Sequence, residues 1–110
     1  MPAAAPALDL AFHALANATR RAVVERLRQG PATVSELAGP FKMALPSFLQ
    51  HLDVLEKSGL VRSTKRGRVR TVRLVPDRLE HAADWLEQQR SIWERRLDQF
   101  DAYARRMKDQ

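Results

Sequence analysis

The chain has no cysteine among its 110 residues. This excludes disulfides, thiol nucleophiles and thiolate metal sites, and it suits a reducing compartment. No apolar run approaches the roughly 20 residues that a membrane helix requires. Residues Met1 to Ala7 are uncharged and rich in alanine and proline, without the basic start and long apolar stretch of a signal peptide. A cytoplasmic location with no membrane contact is therefore expected. Aromatic residues make up only 6 %, too few for an exposed platform on which unpaired RNA bases would stack. After Pro76 neither glycine nor proline occurs, so nothing in that stretch breaks a helix. Acidic residues are absent from positions 60 to 75.

A length of 110 residues is one domain's worth, and 45 % hydrophobic residues are enough for a single modest core. The formal net charge of +6 is unevenly distributed. Residues 1–59 carry a net +1 and residues 76–110 a net −1, so the whole excess lies in Arg62, Lys65, Arg66, Arg68, Arg70 and Arg73. So local a concentration points to a polyanionic partner, whereas a soluble surface alone would not need it.

Apolar spacing over Leu8, Phe12, Leu15 and Ala16 predicts a short helix after a flexible segment 1–7. A second helix follows with Asn17 as its cap and Gly30-Pro31 as its stop. Thr33-Val34-Ser35-Glu36 is a capping-box pattern opening a third, brief helix that Gly39-Pro40 ends. A fourth helix is predicted from about Pro46 to Lys57, with Phe48, Leu49, Leu52 and Leu55 inward. The β-prone stretches Leu60 to Lys65 and Val69 to Val75 flank Arg66-Gly67-Arg68, which predicts a hairpin with a basic tip. The fold class is thus mainly α with a small β-hairpin, a winged helix-turn-helix over residues 8–76. Residues 77–110 form a long C-terminal helix, in which Leu79, Ala83, Leu86, Arg90, Trp93, Leu97, Phe100, Ala104 and Met107 alternate steps of four and three. That seam outruns what a small head domain can cover, so a second copy of the chain is the expected partner.

The segment Phe12-His13-Ala14-Leu15-Ala16-Asn17-Ala18-Thr19-Arg20-Arg21 resembles the LADPTRR opening of ArsR-type winged helix-turn-helix transcriptional regulators. Thr33-Val34-Ser35-Glu36-Leu37-Ala38 is similar to their TVSELA helix, and His51 to Val61 resembles their HLxVLexaGLV run. Gly67-Arg68 is similar to their wing. The resemblance implies a cytoplasmic homodimer that binds an inverted-repeat DNA operator, usually as a repressor. Many members sense metals through cysteines on the third helix or an Asp/His/Glu set on the last. Here the former are absent and the latter is reduced to His81 and Asp84, too few for a tetrahedral site unless a second subunit contributes. The cysteine-free branch is the expected place for this chain, with no metal and no cofactor, and no residue names an effector. Ala44 stands where a capping serine is frequent, a loss of about 1 kcal/mol that Pro46 partly offsets. Leu49 stands where many members carry serine, so that contact does not carry over.

On this fold the fourth helix enters the major groove, where its first turns reach base edges. Gln50 is the expected main reader and Ser47 a base or phosphate contact. His51 is either a phosphate contact or a hydrogen bond steadying the helix pair. Lys65, Arg66, Arg68 and Arg70 are expected along the flanking backbone, with minor-groove entry open to Arg66 or Arg68, and Lys42 is either a phosphate contact or a plain surface lysine. Arg20 and Arg21 are expected to be structural or solvated. Leu8, Phe12, Leu86, Trp93, Leu97 and Phe100 form the expected dimer interface. Catalysis is not expected, because Ser47, His51 and Asp53 do not share one side of a helix and no phosphate loop occurs. Two alternatives stay open: an adaptor that docks a different protein on the long helix, and a metal-responsive repressor built on His81 and Asp84.

Overall fold

The computed structural model describes residues 4–109. Helices α1 (Ala4–Leu15) and α2 (Ala18–Leu27) precede a two-residue strand β1 (Ala32–Thr33) and the short helix α3 (Val34–Ala38). Helix α4 (Leu45–Lys57), strands β2 (Val61–Arg66) and β3 (Val69–Leu74), and helix α5 (Pro76–Lys108) complete the chain. The three strands form one antiparallel sheet in the order β1-β3-β2. Mainly helical, with a helix-turn-helix and a hairpin, the architecture is the expected winged helix-turn-helix.

Local chemistry explains most boundaries. The Asn17 side chain accepts the Arg20 backbone N–H at 3.1 Å and so caps α2. At α3 both halves of the capping box form: Thr33 Oγ1 accepts the Glu36 N–H at 3.1 Å, and the Glu36 carboxylate accepts the Thr33 N–H at 3.3 Å. Ala44 offers α4 no side-chain cap, and Pro46 stands in the first turn, where a missing N–H costs nothing. Gly67 has φ of +61° and begins the two-residue loop between Arg66 and Val69, with no positive φ at Arg68, the pattern of a type II′ turn.

Three expectations need adjustment. Helix α1 starts at Ala4, so residues 4–7 are helical where a flexible segment was expected; residues 1–3 of that segment lie outside the described ones. Alanine has the highest helix propensity, and Pro6 falls in the first turn, so this start carries no penalty. The hairpin gains a third strand, because Ala32 and Thr33 pair with Val72 and Thr71. The long helix is not separate from the head at its base: it begins at Pro76, and Ala82 is buried in the common core.

That core joins Val23, Val24 and Leu27 of α2, Leu37 of α3, Phe48, Leu52 and Leu55 of α4, and Leu60, Val61 and Val72 at the sheet. It holds α4 by one stripe and leaves the opposite stripe free. Ser58 is the one buried polar residue among those described, and it is satisfied: its hydroxyl donates to the Leu55 carbonyl at 2.7 Å.

Candidate nucleic-acid interface

With Phe48, Leu52 and Leu55 packed inward, helical periodicity turns Ser47, Gln50, Asp53 and Lys57 outward, and all four are exposed. Asp53 and Lys57 neutralise one another across one turn at 2.8 Å, and this hydrogen bond raises the Lys57 pKa. Ser47 and Gln50 remain as uncharged polar groups with no partner among the described residues. Leu49, expected to face inward, packs against the core but is only half-buried. It lines a shallow cleft of about 430 Å³ with Thr33, Val34 and Ser35 on one side and Lys65, Arg68, Val69 and Arg70 of the wing on the other. Lys42 is exposed in the turn before α4, beside a stacked pair of rings, Phe41 and Phe48, whose centroids are 5.6 Å apart.

The wing arginines do not act as one group. Lys65, Arg66 and Arg68 at the tip are exposed and form no ion pair among the described residues. Arg70, expected as a free phosphate contact, is committed to the protein. Its Nη2 donates to Glu56 Oε2 at 2.6 Å and its Nε to Ser63 Oγ at 3.0 Å, while the Ser63 hydroxyl donates to the same carboxylate. The network fastens the wing to the last turns of α4. Strand alternation also divides the cations: Lys65 and Arg70 share the face of Val61 and Val72, whereas Arg62, Arg66 and Arg73 lie on the other. Arg62 and Arg73 stand directly opposite each other across the strands, a repulsive pairing in the free protein.

Arg20 has a role that spacing did not reveal. Its Nε donates to the Ala14 carbonyl at 2.7 Å, its Nη2 to the His13 carbonyl at 3.1 Å, and its Nη1 lies 3.1 Å from His51 Nδ1. One guanidinium thus binds the end of α1 to α4, and His51 makes the steadying bond that was one of its two expected roles. Arg21 donates to the Leu15 carbonyl at 2.9 Å. These contacts reach across chain separations of up to 31 residues, beyond any local motif.

The apolar residues of α5 divide at the end of the head. Trp85, absent from the expected seam, meets Phe12 edge-to-face with ring centroids 5.7 Å apart, and Leu8 packs against the core. Leu8 and Phe12 therefore make contacts within their own chain. Leu86, Trp93, Leu97 and Phe100 are all exposed, as are Ile92, Tyr103 and Met107. Arg90 sits among them in a ladder with Glu87 and Glu94, both at 2.7 Å, which holds the Glu87 carboxyl below its usual range. Among the described residues no three potential metal ligands converge, so His81 and Asp84 find no third there.

This geometry defines the class of protein: a winged helix-turn-helix with a polar helix face of no net charge and a cationic wing. Comparison with known proteins agrees. A family profile described as a helix-turn-helix domain matches residues 15–64. The HTH-type transcriptional regulator Rv2034 of Mycobacterium tuberculosis is 46 % identical over 68 residues, 62 % of this chain and 64 % of its own length. The chain therefore spans about two thirds of that curated relative. The crystal structure of the ArsR family transcriptional regulator RHA00566 is 52 % identical, covering 81 % of this chain and 92 % of its own, with a TM-score of 0.78. A homodimeric winged helix-turn-helix DNA-binding domain from Mycobacterium bovis shares the fold at 24 % identity and a TM-score of 0.60, over 84 % of this chain and 83 % of its own. The chain belongs to the ArsR family of transcriptional regulators.

Proposed function

We propose that the protein is a homodimeric transcriptional regulator, in the manner of a repressor, that binds an inverted-repeat operator in double-stranded DNA. In this reading α4 enters the major groove, Gln50 reads a base edge and Ser47 contacts a base or phosphate. The wing tip, through Lys65, Arg66 and Arg68, and Lys42 before the helix grip the flanking backbone. The observation that carries the reading is the unpaired cationic tip beside an exposed helix face of no net charge. A polyanion supplies the missing countercharge, and the neutral face can then discriminate sequence without competing with it. The homodimer is supported by the exposed apolar length of α5, and a fold relative is itself homodimeric.

A salt titration of binding to a duplex tests this. Two wings and two Lys42 side chains meeting about six to ten phosphates should lower affinity by roughly 10³ to 10⁵ between 50 and 200 mM salt. A flat response would overturn the reading.

A further inference from the structure

We propose that Arg20 is a positioning residue for DNA recognition: it fixes His51 as the Nε2–H tautomer, leaving that single donor for a phosphate oxygen. The inference rests on the DNA-binding reading above. A guanidinium carries five N–H donors and no acceptor. At 3.1 Å from Arg20 Nη1, His51 Nδ1 must therefore be the acceptor, and the ring proton sits on Nε2. A proton on Nδ1 would set two donors head to head.

Arg20 is itself held too firmly to yield. The carbonyls of His13 and Ala14 lie in the last turn of α1, where the helix dipole favours a cation; the His13 carbonyl also accepts the Ala16 N–H at 3.2 Å. Its own backbone N–H is taken by the Asn17 cap. Meanwhile His51 Nε2 has no protein partner, and no unpartnered side-chain nitrogen or oxygen is buried among the described residues, so Nε2 meets solvent. His51 lies one turn after Ser47 and next to Gln50, on the flank of the exposed face of α4. An outward donor at that edge suits the backbone rather than the bases.

Two measurements on the full chain test the proposal. In the free protein, nitrogen-15 correlation of the imidazoles should show one His51 tautomer with its proton on Nε2. The Arg20→Lys variant, which cannot span three acceptors, should show both tautomers in exchange. On duplex DNA, His51→Gln retains an oxygen for Arg20 and an outward N–H, and should bind within about twofold of wild type, whereas His51→Phe should lose about tenfold. Arg20→Lys should cost about two- to threefold alone, the inverse of the fraction of rings that keep the Nε2 proton, and nothing further in the His51→Phe background. Circular dichroism checks that each variant is folded; should Arg20→Lys not be, the Gln and Phe pair still decides. A ring protonated on Nδ1, a His51→Gln as weak as His51→Phe, or an equal Arg20→Lys loss in both backgrounds would overturn the proposal. A wild-type chain that ignores duplex DNA would instead overturn the DNA reading, with the tautomer still read from the free protein.

Discussion

Arg68 and Arg70 are two positions apart and carry the same charge, yet only one is free. Arg70 is held by Glu56 and Ser63, while Arg68 faces solvent at the wing tip. Formal charge was legible from composition; usable charge depends on partners 7 and 14 residues away, which no local pattern announces. The Thr33–Glu36 box was legible because its two bonds close within three residues. It also has a pH consequence. The Thr33 hydroxyl, followed by the Thr33 backbone N–H, holds the Glu36 carboxyl below its ordinary value of 4.5. Between the lowered folded value and 4.5 the unfolded chain binds a proton that the folded chain does not, so this contribution is complete above that window and is lost as pH falls through it. Urea midpoints measured across the acid range should therefore fall less steeply for Glu36→Gln than for wild type. At the DNA face, Gln50→Ala should relax preference at one base pair by about 1–3 kcal/mol. Arg68→Ala should instead weaken all sequences alike and flatten the salt slope by about 0.9 per subunit. Competition between operator and scrambled duplexes separates the two, and a reversal would exchange their roles.

Among the elements, α2 to α4 and the hairpin could be read because their signals are short-range: an apolar stripe, a cap, a Gly at a two-residue turn. The third strand could not, since β1 has only two residues and exists through its pairing with Val72 and Thr71. Nor could the attachment of the wing to α4, which joins residues from α4, β2 and β3. That attachment holds the wing in one orientation at the cost of a cation. Removing the charge with Glu56→Gln should lower stability by about 1 kcal/mol, the upper end for a partly exposed pair. It should also release Arg70, steepening the salt dependence of DNA binding by about 0.9 for each arginine that reaches a phosphate. Chemical denaturation and the slope of log affinity against log salt give the two readouts. A stability loss with an unchanged slope would mean that Arg70 is out of reach of the backbone even when free.

The whole molecule is dominated by α5. Its 33 residues extend about 50 Å at 1.5 Å per residue, and the described chain measures 75 × 33 × 22 Å. Its radius of gyration of 20.0 Å compares with about 13 Å for a compact chain of this length. Periodicity marked an apolar seam longer than the head can cover, but not that its base would be covered by α1 through Ala82 and Trp85, since packing decides which part of a stripe is covered. Beyond that base, Trp93, Leu97 and Phe100 are 62, 58 and 68 % exposed. A two-fold interface would bury each of them twice, so Phe100→Asp removes two apolar anchors and introduces two charges. Taking about 1.5 kcal/mol for each lost side chain, the dimer dissociation constant should rise by at least about 100-fold, read by sedimentation equilibrium. The head should stay folded, because its core lies between Ala11 and Ala82. The distal half of α5 should lose helicity, because a long isolated helix with little alanine is marginal in water and depends on what it packs against. Operator affinity should then fall to that of a single half-site, since the second contact is no longer delivered at high effective concentration. A Phe100→Asp chain that remains dimeric and keeps full operator affinity would show that the two copies meet elsewhere, and α5 would be left free for a different protein.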